Sequence, residues 1–200
     1  MATSPSRPAP RESPRSDPAA PAMSAAPAGR AFPPHTVTYL EMTERPGGPG
    51  PAPEGVELVR SEGAPAWWFL ALYDAVGSAY HWHGMHAEPA AEIEAWIRHE
   101  RAELWVPMAR GWPQGFVLLD GSEPPAAEIA YFGLVPEAVG RGWGRWFLGW
   151  AVDRAWSLPG TERVTVNTCT LDHPRALPNY LAAGFTVLRR EDRPGGTDPC

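Results

Sequence analysis

The feature that most constrains the fold is a glycine-rich segment between a predicted strand and a predicted helix, EIAYFGLVPEAVGRGWGRWFLGW at residues 128–150. Glycine recurs at every second position from Gly140 to Gly144. Apolar residues then recur every three or four positions, which is typical of a helix with one buried face. The residues predicted to form that face are Trp143, Trp146, Phe147, Trp150 and Ala151. The segment is therefore a strand, a tight loop and a helix in direct succession.

The composition of this loop suits a phosphate group. The start of a helix leaves backbone N–H groups without partners, and the helix dipole places partial positive charge there. Glycine allows positive φ angles and a close approach of the ligand to the backbone. Arg141 and Arg145 can add charge-assisted hydrogen bonds to phosphate oxygens. The loop predicts a site for a phosphorylated cofactor.

Two common nucleotide-binding motifs do not match the loop. A P-loop requires a lysine, and all 17 residues in the Lys+Arg count are arginine. The dinucleotide motif G-x-G-x-x-G requires a glycine three residues after Gly142, where this chain has Arg145. A nucleotide-binding oxidoreductase remains an alternative interpretation, although the sequence lacks that third glycine.

The segment LVPEAVGRGWGRWFL resembles the acyl-CoA-binding motif of the GNAT N-acyltransferase superfamily, V-x-P-x-x-R/Q-G-x-G-x-G/A. Val135, Pro136 and the three glycines match, whereas Val139 stands where the family usually has Arg or Gln. In the family the glycines contact the coenzyme pyrophosphate. The resemblance implies acetyl-CoA as the cofactor, bound by Leu134, Val135, Val139, Gly140, Arg141, Gly142, Trp143, Gly144 and Arg145.

A second match lies downstream, where NYLAAGF at 179–185 resembles the family signature L-Y-x-x-x-G-F. Tyr180 has the family's spacing to Gly184, and His173 replaces the family's usual asparagine. The resemblance spans residues 39–190 and implies an α/β (α+β) fold. That fold is a GNAT-like mixed, mostly antiparallel central sheet flanked by helices and splayed at the middle strands.

Hydrophobic periodicity agrees with this fold. It predicts strands at 35–42, 102–109, 114–120, 126–134, 163–170 and 185–190, and helices at 67–80, 89–101, 143 onward and 175–183. The order β, α, α, β, β, β, α, β, α, β is the order of the GNAT fold. We expect an acyltransferase domain at 35–190, a disordered Pro/Ala-rich tail at 1–34 and a flexible tail at 191–200.

Charge and apolar content exclude two classes of partner. The net charge of −6 argues against nucleic acid and weakly favours cationic acceptors such as amines. No apolar stretch approaches the ~18 residues that a membrane span requires, and no apolar signal-peptide core is present. We therefore expect a cytoplasmic protein that binds neither membrane nor nucleic acid.

Acyl transfer to an amine needs a base, because an ammonium group has no lone pair. Glu128 is the candidate: EIAYFGLV resembles the E-I-x-F stretch of the histone acetyltransferase branch, whose glutamate on this strand is the base. Strand alternation predicts Glu128, Ala130 and Phe132 on one face, with Ile129 and Tyr131 on the other. The alternative is a solvated glutamate at the end of a strand.

The remaining catalytic roles follow from the resemblance. It implies that a backbone N–H near Leu134 stabilises the developing oxyanion and that the Val135 N–H binds the pantetheine arm. Tyr180 is the candidate acid toward the departing thiolate, or else an ordinary packed tyrosine. Asn167, in mid-strand where asparagine is unfavourable, is a candidate contact to the coenzyme or the acceptor, and His173 is a candidate coenzyme contact.

The histidines of HWHGMH, His81, His83 and His86, have no obvious fourth metal ligand, so we predict no metal site. Trp82 and His83 lie in the region that lines the acceptor site in the family, and Tyr131 is a further candidate substrate contact. The leading interpretation is an N-acetyltransferase that acts on a small-molecule or peptide amine. The resemblance also implies a homodimer, because dimers are common in the family. A catalytically inactive acyl-CoA binder is the alternative within the same fold.

Overall fold

The computed structural model describes residues 33–195 of the chain. The predicted tail at 1–34 lies outside the described residues apart from Pro33 and Pro34. Of the predicted tail at 191–200, residues 191–195 are described, and the last strand continues through Arg193.

The described chain folds into eight strands and four helices. The strands are β1 His35–Met42, β2 Val56–Arg60, β3 Ala102–Ala109, β4 Trp112–Pro113, β5 Gly115–Asp120, β6 Ala126–Leu134, β7 Arg163–Cys169 and β8 Thr186–Arg193. The helices are α1 Ala66–Gly77, α2 Ala90–Ile97, α3 Trp143–Trp156 and α4 Ala176–Ala182.

The strands form one mixed sheet in the order β2-β3-β5-β6-β7-β1-β8, with the two-residue β4 paired to β3. Neighbouring strands are antiparallel except β6 and β7, which run parallel. The first strand, β1, lies between β7 and β8. This arrangement confirms the predicted mixed, mostly antiparallel sheet flanked by helices.

Each face of the sheet carries its own apolar core. On one face, α3 and α4 cover the sheet around Phe147, Val166 and Tyr180. On the other face, α1 and α2 cover it around Phe69, Ile93 and Phe116. The two cores meet at the end of β6, where Leu134 packs against both.

Helix α3 begins at Trp143 as predicted, but its buried stripe differs from the predicted one. The fully buried residues are Phe147, Leu148, Ala151, Val152 and Ala155. Trp143, Trp146 and Trp150 are only half-buried and flank that stripe. Trp146 and Trp150 pack at the margin of the core beneath α3, whereas Trp143 packs against the core beneath α1 and α2.

Two strands were missed by the sequence patterns. β2 follows a Pro/Gly-rich stretch and lies at the edge of the sheet. Its five residues are too few to show a clear alternation of apolar and polar side chains. β4 is a two-residue extension of a turn. Helix α1 also ends earlier than predicted, at Gly77, where a side chain would collide with the Trp82 ring.

Among the described residues, no helix is both long enough and apolar enough to cross a bilayer.

Phe147 should be one of the residues that stabilise the fold most. Its ring is 0% exposed and packs 5.1 Å, centroid to centroid, from the ring of Phe132. Phe147→Ala should lower the free energy of unfolding by about 3–5 kcal/mol in urea denaturation, because a cavity replaces the ring. Leu188→Ala, at a side chain that is 58% exposed, is the control and should change it by less than about 0.5 kcal/mol. Equal effects would contradict this assignment of the core.

Candidate active site

The parallel strands β6 and β7 pair over only four residues each. Their pairing runs from Ala126 opposite Arg163 to Ile129 opposite Val166. Beyond that point β6 continues to Leu134 while still paired with β5. Residues 130–134 of β6 and 167–169 of β7 therefore border an opening in the sheet, which we call the splay.

The direction of backbone groups at the end of β6 follows from its pairing with β5. The Val135 N–H donates to the Gln114 carbonyl oxygen at 3.0 Å. Because N–H groups in an antiparallel pair point alternately toward and away from the partner strand, the Leu134 N–H points away from β5, toward the splay. A backbone donor is thus directed into the opening at Leu134.

The Val135 N–H has a different partner from the predicted one. Its bond to Gln114 extends the β5–β6 ladder, so this donor is already occupied. The expectation that the Val135 N–H binds a pantetheine arm is not met in this arrangement. Side-chain patterns do not show which edge of a strand a backbone group faces.

The glycine loop has the conformation that requires glycine. Gly140 and Gly142 have φ angles of 85° and 80°, in the left-handed region that other residues rarely adopt. A Cβ atom at either position would meet no described atom within 4 Å. The space above both residues is open to a ligand.

The start of α3 carries unused donors. Gly142 is its N-cap, no side chain of the described residues caps the helix, and its first turn contains no acidic residue. Arg141 and Arg145 are exposed beside this end, with the Arg141 guanidinium 5.2 Å from the Trp143 ring centroid. The end of α3 therefore offers backbone N–H groups, a positive dipole end and two guanidinium groups to an anion.

Gly144 and Val139 differ in their surroundings: Gly144 lies beside Leu134, and Val139 lies at the surface. A Cβ atom at Gly144 would lie 3.7 Å from Leu134 Cδ1, an ordinary contact distance. The first turn of α3 thus lies directly beside the end of β6 and the splay. The Val139 side chain is 47% exposed.

Glu128 is a half-buried carboxylate in the last paired part of β6. It lies directly opposite Asp120 of β5 and Thr165 of β7. The Asn167 side-chain amide donates to Glu128 Oε1 at 3.4 Å. Burial, and then the charge of Asp120, raises the pKa of Glu128 above its usual value, while the Asn167 hydrogen bond acts in the opposite direction. The raised pKa moves this carboxylate toward the range of an effective base.

A bulge in β6 corrects the predicted faces. Leu118 opposes Tyr131 and Leu119 opposes Ile129, so Ala130 is an extra residue in β6. After this residue the alternation shifts. Ala130 and Tyr131 pack in the core beneath α1 and α2, whereas Ile129 and Phe132 pack in the core beneath α3. By alternation before the bulge, Glu128 shares the face of Tyr131, not that of Phe132 as predicted.

Tyr131 and Trp82 belong to an aromatic cluster on the Glu128 side of the sheet. The Tyr131 ring lies 5.3 Å from the rings of both Tyr73 and Trp82. Burial, followed by the neighbouring Tyr73 and Glu128, raises the pKa of Tyr131. Trp82 Nε1 donates to Asp172 Oδ1 at 3.1 Å, which joins the α1–α2 connection to the β7–α4 loop. These rings form a wall beside the splay.

The histidines of the α1–α2 connection do not converge. His86 Nε2 lies 2.6 Å from Asp74 Oδ1. The rings of His81 and His83 are 6.3 Å apart, and His83 is half-buried. Within residues 33–195 no group of three or more His, Cys, Asp or Glu side chains is arranged to hold a metal ion.

Tyr180 and His173 follow β7, the strand across the splay from β6. Tyr180 is 7% exposed and its ring packs 5.9 Å from that of Phe185. Burial, and then the charge of Asp172, raises the pKa of Tyr180, so its hydroxyl keeps its proton. His173 Nδ1 accepts a hydrogen bond from the Arg175 N–H at 3.1 Å, a local contact before α4.

Two acidic residues connect the strands and loops of the site. Asp172 accepts hydrogen bonds from the Thr168 hydroxyl, the Cys169 N–H and the Trp82 indole. Asp120 lies next to Glu128 across β5 and β6. Finding Asp120 requires the register of two strands, which depends on the bulge at Ala130.

Comparison with protein families gives one assignment. The model described as Acetyltransferase (GNAT) family matches residues 53–185, well over half of the chain. A comparison with curated protein sequences gives no match.

Solved structures share the fold at low sequence identity. A functionally unknown conserved protein from Staphylococcus epidermidis has a TM-score of 0.56 at 16% identity, over 80% of this chain and 60% of that one. A GCN5-related N-acetyltransferase from Kribbella flavida has a TM-score of 0.55 at 17% identity, over 85% of this chain and 60% of that one. A GCN5-related N-acetyltransferase from Sphaerobacter thermophilus has a TM-score of 0.55 at 22% identity, over 80% of this chain and 50% of that one. The chain thus spans between half and 60% of the length of these three proteins.

Glu128→Gln should stabilise the protein at neutral pH. The raised pKa means that Glu128 favours the folded state while protonated and loses that contribution as the pH rises through its folded pKa. The stability difference between variant and wild type should be small near pH ~4, below the ordinary glutamate value, and should grow toward neutral pH. Urea denaturation at several pH values measures it.

Glu123→Gln is the matched control for this prediction, because Glu123 is exposed and its replacement removes the same charge. Its stability difference should stay nearly constant with pH. A Glu128→Gln difference that is equally independent of pH would show that the Glu128 carboxylate is not destabilised in the fold.

Proposed function

The chain belongs to the acetyltransferase (GNAT) family, and on that premise we propose that it transfers an acetyl group from acetyl-CoA to a primary amine by direct attack. Members of this family use acyl-CoA and act on small-molecule or peptide amines. The observation that carries the proposal is that three features lie around the splay: the loop at Gly140 and Gly142, the Leu134 N–H directed into the opening and the half-buried Glu128.

The glycine loop and the first turn of α3 fit the pyrophosphate of the coenzyme. The open space above Gly140 and Gly142 admits a ligand against the backbone, and within residues 33–195 no side chain caps the start of α3. Arg141 and Arg145 add positive charge at the same end. Once bound, acetyl-CoA supplies the acetyl group in a reactive thioester.

Glu128 accepts the proton of the acceptor ammonium group. Its half-buried position weakens its solvation, and the raised pKa brings its proton affinity closer to that of an amine. Asn167 donates to Oε1 and holds the carboxylate orientation from β7. Asn167 is therefore assigned to the acceptor side, beside the base, instead of to the coenzyme.

The Leu134 N–H stabilises negative charge on the thioester oxygen. It points into the splay from a strand held by β5, so it does not need to reorganise during the reaction. Tyr180 gives its proton to the departing thiolate. Burial, and then the charge of Asp172, raise the pKa of Tyr180, which keeps the hydroxyl protonated before that step and also makes it a weaker acid than an ordinary tyrosine.

The acceptor binds beside Glu128, against Tyr131, Trp82 and His83. The aromatic faces of Tyr131 and Trp82 attract cations, and the acidic balance of the chain acts in the same direction. Trp82 is held in this wall by its bond to Asp172. A small cationic amine is the acceptor class that this surface favours.

Glu128→Gln should lower turnover of acetyl-CoA with an accepted primary amine by about 10²–10⁴-fold, because the amine loses its base. Binding of acetyl-CoA by calorimetry should be unchanged. Glu123→Gln is again the control and should keep wild-type turnover. Free coenzyme A, detected through its thiol across a panel of small amines, is the readout.

Two outcomes would contradict the proposal. Wild-type protein that binds acetyl-CoA but acetylates no amine in the panel would indicate an inactive acyl-CoA binder. Glu128→Gln with wild-type turnover would remove Glu128 from the role of base.

A further inference from the structure

Two carboxylates face each other across the sheet at the candidate base. Asp120 of β5 lies directly opposite Glu128 of β6, so both side chains project from the same face. Like charges directly opposite one another destabilise a sheet. Neither carboxylate forms an ion pair with any described arginine. The pair is thus a local repulsion that none of these arginines relieves.

The surroundings hold the negative charge on Asp120. Trp96 Nε1 donates to Asp120 Oδ2 at 2.6 Å, and the Ser122 N–H donates to Oδ1 at 2.8 Å. Burial opposes ionisation, but these hydrogen bonds and the nearby His99 outweigh it and keep the pKa of Asp120 below its usual range. Asp120 is therefore a fixed anion with both oxygens oriented.

The other groups around Glu128 do not neutralise this anion. β7 presents the neutral side chains of Thr165 and Asn167. β6 itself presents Tyr131, which interacts electrostatically with Glu128, Tyr73 of α1 and Glu88 before α2.

Two further titratable groups lie at the edge of this surface. Glu41 of β1 opposes Thr165, one strand beyond β7, and adds negative charge. His99, after α2, interacts electrostatically with Asp120. Asp120 is the charged group that lies directly opposite Glu128.

We propose that Asp120 is a positioning residue for catalysis: its fixed negative charge increases the proton affinity of Glu128, so that Glu128 can take a proton from an ammonium group. This inference rests on the proposed function of Glu128. One proton moves from the acceptor nitrogen to a Glu128 carboxylate oxygen. The freed nitrogen lone pair forms the new C–N bond, and the C–S bond breaks with its electron pair on the thiolate. The nitrogen then loses its second extra proton, which replaces the proton that Tyr180 gives to the thiolate, so that the products are a neutral amide and a free thiol.

The same arrangement explains why the repulsion is tolerated. With Glu128 ionised, two carboxylates face one another and attract a cationic acceptor. Once Glu128 is protonated, the repulsion is relieved. The strain between Asp120 and Glu128 therefore favours the proton transfer that the reaction needs.

Carboxyl ¹³C NMR titration of protein labelled at the Asp and Glu side-chain carboxyl carbons tests this without an acceptor. The resonance that is absent in Glu128→Gln identifies Glu128. Asp120→Asn should lower its titration midpoint by about one pH unit, since a like charge is removed. Asn167→Ala should raise the midpoint, because it removes a donor to the carboxylate. An unchanged midpoint in Asp120→Asn would overturn the inference.

Wild-type protein provides a check if Asp120→Asn does not fold. The Asp120 carboxyl resonance should show a second inflection at the Glu128 midpoint, because the two titrations are coupled. A single inflection would also overturn the inference. Glu123→Gln, with the same loss of charge at an exposed site, should leave the Glu128 midpoint unchanged.

Enzyme kinetics separate this inference from the proposed function. In Asp120→Asn, the acidic limb of the kcat/KM profile with acetyl-CoA and an accepted primary amine should move to lower pH by the same amount as the NMR midpoint. If wild-type protein transfers no acetyl group, the proposed function fails while the NMR result still stands. If turnover is normal but neither midpoint nor limb moves, only the role of Asp120 fails.

Discussion

The early end of the pairing between β6 and β7 is the constraint on which the rest of the site depends. Only four residues of each strand are paired, after which β6 stays with β5. The free edge of β6 then presents the Leu134 N–H to the opening, and the last paired segment holds Glu128 beside it. The glycine loop follows β6 directly, so α3 begins next to the same opening. One interruption in a sheet thus positions all three groups.

The position of β1 allows this interruption without a general loss of sheet structure. β1 pairs with β7 from Val37 opposite Cys169 to Met42 opposite Val164, which includes the part of β7 that has left β6. β8 then pairs along the other edge of β1. Because β7 is held by a neighbour along nearly its whole length, its backbone groups on that side remain bonded where β6 diverges. The splay leaves unpaired groups only along the two edges that face it.

Local patterns in the sequence predicted much of this fold. They did not predict the features that depend on pairing between strands. β3 and β6 have the predicted bounds because each is a long apolar run ended by turn residues. The conformation of the glycine loop was predictable because it depends on the residue types at consecutive positions. Asp120, the bulge at Ala130 and the bond of the Val135 N–H depend on register between strands. Those features decide which groups meet, and no single segment of sequence encodes them.

Calorimetric titration with acetyl-CoA of wild type, Gly142→Val and Gly55→Val tests the central claim most directly. Gly142 and Gly55 have φ angles of 80° and 72°, and a Cβ atom at either position would lie in open space. Each valine therefore introduces a similar backbone strain of about 1–2 kcal/mol. We predict that wild type and Gly55→Val bind acetyl-CoA alike, while Gly142→Val binds about tenfold or more weakly through the loss of phosphate contacts. Equal binding by all three proteins, or binding of NADH in place of acetyl-CoA, would contradict the account.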